Sequence, residues 1–296
     1  MNAEIIVAIC YYVVLIAQFW IMWKERNPKE NEIFAVTIPN AVMENEEILR
    51  VRKKYGNTLM IVGILMAVLP VSLLLTDWMT VQAMVWMILF ILMMLLSFLP
   101  YWMANKNVKK LKEENRYMDQ APGLKEIDPY WKHGIFYCNP QDERLTTEKK
   151  IGIGTCINHA KPMGKFLTGL AWVLIATLLA FGVYLIRVQS TPLKLSFEDG
   201  VLESGQIRTN YSLDADVMQM AMLLDEMPAG TKVIGTGFDN LQRGVYNLEG
   251  FGNCKVNVNP QNHAFILIYA EDGFYIFSAD TDKKTEKIYE KLKEEL

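Results

Sequence analysis

Four long stretches of this chain contain no Asp, Glu, Lys, Arg or His; they cover residues 5–23, 59–76, 80–100 and 166–186. An apolar helix of about 20 residues rises about 30 Å, the thickness of the hydrocarbon core of a bilayer. The missing charges also bear on mechanism, because ion-coupled transporters place ionisable groups at mid-membrane. The sequence therefore predicts four transmembrane helices and disfavours a coupled transporter.

The chain also lacks a basic excess and a metal-binding cysteine pattern. Its 30 Lys and Arg are balanced by 33 Asp and Glu among 296 residues, so no surplus charge is available for nucleic-acid phosphates. None of the four cysteines forms a CxxC pair, which argues against a zinc knuckle or a thioredoxin-like site. No Ser/His/Asp or paired-carboxylate signature stands out. We expect no nucleic-acid partner, no metal, no cofactor and no catalytic residue, and hence not an enzyme.

The four charge-free stretches divide the chain into a membrane domain, residues 1–187, and a second domain, residues 188–296. The first stretch has an alternative interpretation as a signal peptide. No Lys or Arg precedes it and no small-residue cleavage site follows it, so we favour a membrane span. Pro70 and Pro100 lie near span ends and predict kinks or stops rather than hinges.

Orientation is predicted from the distribution of Lys and Arg. Loop 24–58 contains seven of them and loop 101–165 contains twelve, whereas the leading tail and the turn around residue 77 contain none. Basic loops stay on the cytoplasmic side, so we expect both loops to be cytoplasmic. With four crossings both termini and the domain 188–296 are then extracytoplasmic, in a multi-pass protein of the cell membrane.

The two loops carry local signals of their own. In the first, Asn40 or Asn45 can cap a helix that continues into the second span. In the second, a helix continues beyond residue 100, and a short strand and turn are predicted around residues 131–140. His133, Cys138, Cys156 and His159 contain metal-ligating groups, but their separations match no zinc spacing. The Gly152-x-Gly154 pair is too short for a phosphate-binding loop, so a turn is the better interpretation.

The second domain shows the two-residue alternation of β-strands from about residue 190 onward. Short strands are predicted at LKLSF, VLESG, TKVIGTGF, RGVYNL, GNCKVNVN, AFILIY and GFYIFSA, in an antiparallel sheet. Residues 214–226 space their apolar groups as a helix does. A final amphipathic helix places Ile288, Tyr289 and Leu292 on one face and closes the domain.

One segment of the second loop has the pattern W-x-x-G-x-F-Y-x-N-P, then a basic residue, then G-x-G-x-x-x-N. The residues of this pattern are Trp131, Gly134, Phe136, Tyr137, Asn139, Pro140, Gly152, Gly154 and Asn158. With this pattern the segment resembles a short domain of unknown function from Firmicute membrane proteins. These nine residues are the candidate site that the sequence offers.

Two further resemblances bear on function. The segment FAVTIP of the first loop is similar to the F-G-V-x-[IV]-P segment of proteins related to the sporulation-delaying-protein immunity family, with Ala35 in the glycine position. The strands and closing helix of residues 188–296 resemble a bacterial pleckstrin-homology-like (PH-like) domain, a fold used as a binding scaffold. These resemblances imply a binding function, and immunity to or sensing of an envelope-active peptide as one form of it.

The sequence thus predicts an α-helical membrane bundle of four transmembrane helices plus a C-terminal antiparallel β domain, PH-like, with a closing helix. We expect a membrane-anchored binding or regulatory protein whose partners are the lipid bilayer and a protein or peptide held by the C-terminal domain. The alternative is a subunit of a membrane transporter or channel complex, because apolar helices with small residues such as Gly169 and Ala171 can pack closely against other chains.

Overall fold

A computed structural model describes residues 3–296 of the chain, with side chains from residue 5 onward. The chain divides into two compact units. The first comprises the residues up to 77 together with 83–179, and the second comprises 78–82 together with 180–296. The two units are described separately below.

Four helices are long and apolar enough to cross a membrane, as predicted. They are α1 (Ala3–Lys24), α2 (Glu46–Val68), α3 (Met79–Glu114) and α4 (Pro162–Ser190). The helix α2 begins directly after Asn45 and runs through the basic segment into the second span, although the Asn45 side chain makes no capping hydrogen bond. Helix α2 ends at Val68, and a 3-10 helix that contains Pro70 follows over Leu69–Leu75, whereas Pro100 lies inside α3 without ending it.

Helices α1, α2 and α3 pack against one another through buried side chains. The Tyr11 hydroxyl donates to the Met66 carbonyl at 2.9 Å and so joins α1 to α2. The Gln18 amide donates to the Ser97 hydroxyl at 2.9 Å and joins α1 to α3. Helix α4 differs, because no residue between 165 and 187 is buried. Within a membrane, the exposed side chains of α4 would be covered by lipid or by another protein chain.

The two loops of the first unit fold together into one layer, the loop module, which consists of residues 25–58 and 101–161. Its short strands form three antiparallel hairpins: β1 (Glu32–Ile33) with β2 (Val36–Thr37), β3 (Trp131–Lys132) with β4 (Phe136–Tyr137), and β5 (Thr146–Glu148) with β6 (Thr155–Ile157). A shared core contains Phe34, Ile38, Tyr55, Tyr101 and Val108, from both loops. The two loops therefore lie at the same end of the helices.

The second unit contains the β domain, with nine strands and a closing helix. A three-stranded sheet consists of β7 (Lys194–Glu198), β8 (Val201–Gln206) and β9 (Thr209–Asp214). A six-stranded sheet has the order β10-β14-β15-β13-β12-β11. Its strands are β10 (Met218–Leu224), β11 (Gly230–Phe238), β12 (Leu241–Leu248), β13 (Gly252–Val258), β14 (Phe265–Ala270) and β15 (Gly273–Phe277).

All pairs of neighbouring strands in these two sheets are antiparallel except one. Strands β13 and β15 run parallel, with Val256 opposite Ile276. The prediction of a purely antiparallel sheet was therefore wrong at this pair. A parallel pair needs a crossover connection, and here the connection from β13 to β15 contains β14, which forms the other neighbour of β15.

The segment 214–226, for which a helix was predicted, forms a strand instead. After a single 3-10 turn at Ala215–Val217 it continues as β10, which pairs with β14 from Met218 opposite Ala270 to Leu224 opposite Phe265. Met and Leu are good helix formers, but a short apolar run is decided by the partner that it finds. The strand β9 was also missed, because its residues 209–214 are mostly polar.

The closing helix α5 (Asp282–Glu295) agrees with the prediction. Leu292 is fully buried in a core that the two sheets share with the helix, and Ile288 and Tyr289 pack at its margin. Phe197 and Leu202 reach this core from the three-stranded sheet, opposite Ile266 and Phe277 of the larger sheet. The helix therefore supports the packing between the two sheets.

The last turn of α4 is fixed to the β domain. The Gln206 side chain donates to the carbonyls of Val188, at 3.0 Å, and Thr191, at 2.5 Å. Asn240 donates to the Gln189 carbonyl at 3.0 Å. Val188 packs in a small core with Leu193 and Leu241. Within the second unit, the last turn of α4 thus packs together with the β domain.

Candidate functional site

The predicted motif begins on the hairpin β3–β4, whose turn requires left-handed backbone. His133 has φ 56° and Gly134 has φ 73°. A Cβ atom on Gly134 would lie 2.8 Å from Asn105 Nδ2 and 2.9 Å from Tyr101 Cε1, both on α3. Glycine is required here for its backbone conformation and for its close approach to α3. This contact presses the motif hairpin against the end of the third membrane helix.

The turn of the first loop lies on the other side of Asn105. Phe34 (φ 49°) and Ala35 (φ 57°) form the two-residue turn between β1 and β2. The Asn105 amide donates to the Phe34 carbonyl at 2.7 Å. Two consecutive left-handed residues are typical of a type I′ hairpin, in which glycine is favoured. The left-handed backbone is thus a physical reason for the glycine of the F-G-V-x-[IV]-P pattern, and in this chain Ala35 occupies that position.

Asn158 and Asn139 hold the second half of the motif together. Asn158 is fully buried, and its side chain donates to the Asn139 carbonyl at 2.7 Å and accepts from the Asn139 and Ala160 amides, each at 3.1 Å. The Asn139 side chain in turn accepts from the Gln141 amide at 3.0 Å, across Pro140. These hydrogen bonds satisfy the backbone of a compact loop, so both asparagines are explained as structural residues.

Tyr137 connects this loop to a charged pair. Its hydroxyl donates to Asp142 Oδ2 at 2.8 Å, and Arg144 Nη2 lies 2.9 Å from the same oxygen. Hydrogen bonds from Arg144, above all, hold the pKa of the Asp142 carboxyl well below its usual range. Burial raises the pKa of Tyr137. The phenol therefore stays protonated and the carboxylate stays charged, a static arrangement rather than an acid–base pair.

The hairpin tip, residues 149–154 between β5 and β6, reaches the first membrane helix. A Cβ atom on Gly152, where φ is +71°, would lie 3.3 Å from Ile21 Cγ2 of α1. Gly154, at φ +110°, has open space around it, so only its backbone conformation calls for glycine. Ile153 between them is 96% exposed, while Ile151 packs against the core of the loop module.

An open cleft of about 320 Å³ lies beneath this tip, a size within the range of about 300–1,000 Å³ found for ligand sites. One wall is formed by the membrane helices, with Gln18 and Ile21 of α1 and Met94 and Phe98 of α3. The other is formed by the hairpins β3–β4 and β5–β6 and by the segment that follows β6. The residues that they contribute are Gly134, Ile135, Phe136, Lys149, Lys150, Ile151, Gly152, Ile153, Cys156 and His159. We call this the apolar cleft.

The structure thus divides the nine predicted residues into three groups of three. Gly134, Phe136 and Gly152 line the apolar cleft. Trp131 and Tyr137 are buried against each other, with ring centroids 5.2 Å apart, and line a second, polar cleft with Asn139. The remaining three, Pro140, Gly154 and Asn158, line neither of these two clefts.

The four metal-ligating residues do not form one cluster. Among the described residues no group of three or more His, Cys, Asp or Glu side chains could hold a metal ion. His159 instead contacts Thr168 through Nε2, at 3.1 Å, and the ring of Phe136, at 5.4 Å. Burial raises the pKa of the Cys156 thiol, so the reactive thiolate form is disfavoured there.

A buried charge pair beneath the motif was not predicted. Lys112 of α3, 8% exposed, donates to Asp128 Oδ1 at 2.9 Å and lies 3.1 Å from Glu126. Asp128 also accepts from the Thr37 amide at 3.3 Å, and so connects the two loops. Nothing in the sequence marks these contacts, because Asp128 lies 16 positions from Lys112 and 91 positions from Thr37.

The described geometry contains two clefts with features of a binding site. The apolar cleft has basic side chains at its rim and, apart from Gln18, apolar side chains along the wall formed by the helices, which suits an amphipathic molecule. The polar residues of the motif are engaged in holding the loop module together. Comparison of the chain with protein-family models, with curated proteins and with solved structures found no match in any of the three.

Proposed function

We propose that this chain is a membrane-anchored binding and regulatory protein whose β domain holds an extended segment of a protein or peptide partner. The observation that carries the proposal is the strand β11 at one edge of the six-stranded sheet. An edge strand presents unpaired backbone N–H and C=O groups, and an extended peptide can add to it as a further strand.

Strand β11 is nine residues long and exposed along most of its length. Its register with β12 shifts between Lys232 and Ile234, which leaves Val233 in a bulge. Val233 is 58% exposed and Ile234 is 68% exposed. Successive side chains of a strand ordinarily face opposite sides of the sheet. The exposed Val233 and Ile234 therefore offer apolar contacts beside the free edge of β11. The bulge and Lys232 restrict indiscriminate pairing, which favours one particular partner.

The attachment of α4 supports a regulatory role. At one end the helix is hydrogen-bonded to the β domain through Gln206 and Asn240. At the other end a Cβ on Gly164 would lie 2.1 Å from the Asn158 carbonyl oxygen, and Thr168 contacts His159. Between these ends no side chain from 165 to 187 is buried. The same helix therefore contacts the loop module at one end and the β domain at the other, which supports the regulatory role.

A photo-crosslinking amino acid at Ile234 tests the binding proposal in intact cells. We expect one discrete adduct from this position, and its loss when Val233→Asp is added in the same chain. The matched control is Met222 on β10, the opposite edge strand, which is 44% exposed and should give no such adduct. Equal adducts from both positions, no adduct from 234, or an adduct of twice the chain mass would each contradict the proposal.

The orientation proposed for the chain places the loop module in the cytoplasm and both termini outside. Seven and twelve basic residues in the two loops support it, and so does the packing of both loops into one module at the same end of the helices. Alkaline phosphatase fused to the C-terminus should then be active, and inactivity of a stably produced fusion would contradict this orientation.

A more specific form of the proposal follows from the resemblances in the sequence. The β domain would be PH-like, and its ligand would be an envelope-active peptide that the chain senses or to which it gives immunity. Production of the chain in a peptide-sensitive bacterium should then increase survival under peptide challenge. The Val233→Asp variant should remove the increase, and equal survival with both chains would contradict this form.

The alternative, a subunit of a transporter or channel complex, is favoured by one observation. Helix α4 is apolar and lacks any buried residue from 165 to 187, so it has room for helices of other chains. Blue native electrophoresis of gently solubilised membranes would then show the chain in a larger complex. Solute flux into proteoliposomes containing that complex, and no flux without this chain, would favour the alternative over the binding role.

A further inference from the structure

The position of the hairpin tip relative to the bilayer follows from its contact with α1. Gly152 meets Ile21, which is two residues from the end of the charge-free stretch 5–23 of α1. The exposed Ile153 therefore lies at the boundary between headgroups and hydrocarbon. A large aliphatic side chain that is 96% exposed there gains by contact with acyl chains rather than with water.

The apolar cleft extends from this boundary into the hydrocarbon level. Met94 precedes Pro100, at the end of the third charge-free stretch, by six residues of α3, so it lies roughly 9 Å deeper along the helix axis. The cleft is open, and part of its lining is helix surface at hydrocarbon depth. A molecule that fills it must be apolar where it meets the helices and polar where it meets the rim.

The charge at the rim has one sign. Its charged lining residues are Lys149 and Lys150, and none of its lining residues is Asp or Glu. The two lysines are not equivalent, because Lys150 Nζ is bonded to Glu32 at 2.5 Å. Lys149 is exposed and forms no ion pair with any described residue. Its charge is therefore available to an anionic group at the membrane surface.

We propose that the apolar cleft binds one anionic phospholipid, with its phosphate at Lys149 and an acyl chain along the wall formed by α1 and α3. The basic rim and the apolar wall match the two ends of such a molecule. The glycines of the motif then have a shared role, since Gly134 and Gly152 allow the two hairpins to close over the lipid. This site is independent of the ligand of the β domain.

Native mass spectrometry of the full-length protein, delipidated in detergent, tests the proposal. Phosphatidylglycerol and phosphatidylcholine with identical chains are titrated separately. We expect one phosphatidylglycerol adduct to saturate first, and Lys149→Gln to weaken it about fivefold, as expected for one lysine at an anionic surface. The matched control is Lys106→Gln, an exposed lysine near the same end of α3 that does not line the cleft.

Two results would overturn the proposal. Equal effects of Lys149→Gln and Lys106→Gln would show only general attraction between lipid and basic residues. Equal occupancy by glycerol phosphate, which has the headgroup phosphate without acyl chains, would show a site for soluble phosphate instead. Both substitutions are at exposed side chains, so loss of folding does not complicate the comparison.

A second measurement tests the depth of the hairpin tip. A spin label at Ile153→Cys, in a chain whose Cys10, Cys138 and Cys156 are replaced by Ala, should be more accessible to oxygen than to a water-soluble nickel complex in vesicles. The matched label at Glu143→Cys, an exposed residue elsewhere in the loop module, should show the reverse. An aqueous environment at position 153 would remove the basis of the lipid site.

Discussion

Helices α1–α3 and helix α4 have the same kind of sequence but different surroundings. All four are charge-free over the length of a bilayer and all qualify as membrane spans. Helices α1–α3 bury Tyr11, Leu59 and Met93 between one another. In α4 every residue from 165 to 187 remains at least partly exposed. Hydropathy therefore identifies the solvent of a helix, but the neighbours of the helix depend on shape and on a few polar contacts.

The difference is largest where the helices leave the bilayer. The cytoplasmic ends proposed for α1, α2 and α3 continue into a shared core with aromatic contacts such as Phe34 to Tyr55, 4.9 Å between ring centroids. Helix α4 meets the loop module only at its first turns, around Gly164 and Thr168. Substitutions at packed positions of α1–α3 and the loop module should consequently lower the free energy of unfolding. Matched substitutions at exposed positions should not.

The largest effect is expected at the buried charge of the loop module. Lys112→Met leaves Asp128 buried without its partner and should lower the free energy of unfolding by about 3–5 kcal/mol. The control Lys110→Met removes a 71% exposed lysine from the same helix and should cost less than about 0.5 kcal/mol. Denaturant unfolding in mild detergent measures both. Similar midpoints for the two variants would show that the loop module is not a packed unit.

The next effect is expected at the motif turn. Gly134→Ala forces a Cβ against Asn105 and Tyr101 at positive φ, at a cost of about 2–3 kcal/mol. The control Gly123→Ala meets no atom within 4 Å and should lie within about 0.5 kcal/mol of the parent. Thermal unfolding followed by size-exclusion chromatography separates them. An unchanged Gly134→Ala protein would mean that the hairpin does not press on α3.

A matched pair of glycines then compares the membrane helices directly. A Cβ on Gly63 of α2 would lie 3.1 Å from Phe19 of α1, whereas one on Gly169 of α4 meets nothing within 4 Å. Gly63→Leu should cost about 2 kcal/mol through overpacking, and Gly169→Leu should be neutral because leucine suits lipid. Unfolding in detergent measures both. A destabilising Gly169→Leu would show that α4 packs against protein in the membrane, as the alternative of a complex requires.

The smallest effect is expected from a single interhelical hydrogen bond. Ser97→Ala removes the acceptor of Gln18 and should cost about 0.6 kcal/mol. Thr177 of α4 donates only to Val173 of its own helix, at 2.9 Å, so Thr177→Ala should have no measurable cost. Replicate denaturant titrations can resolve this difference. A larger loss for Thr177→Ala would reverse the comparison between the helices.

The sequence was sufficient for the parts of the fold that lipid dictates. A charge-free stretch of about 20 residues has few alternatives to a membrane helix, and all four predicted stretches form helices that are long and apolar enough to cross a membrane. The closing helix was also predicted correctly. The sequence was insufficient where pairing with a distant strand determines the secondary structure of a segment. Residues 218–224 have apolar groups that suit a helix or a strand, and β14, more than 40 positions away, pairs with them. The parallel pair β13–β15 leaves no local signal either.

The candidate site was predictable in its turns and not in its contacts. Gly134 and Gly152 are visible in the sequence because positive φ favours glycine. Asn105, which joins the two loop turns, is one of several asparagines and contacts a carbonyl 71 positions away. The availability of Lys149 depends on Glu32 pairing with Lys150 rather than with Lys149, a choice that only the folded arrangement determines.

The central claim is the proposed orientation, in which the loop module is cytoplasmic and residues 188–296 are extracytoplasmic. Cys254 is fully buried and cannot report on it, so cysteines are introduced at Glu143 of the loop module and at Lys283 of α5, both exposed. Cys10, Cys138 and Cys156 are replaced by Ala. An impermeant maleimide should label position 283 on intact cells and position 143 only after permeabilisation. Labelling of both positions on intact cells, or of position 143 alone, would contradict the account.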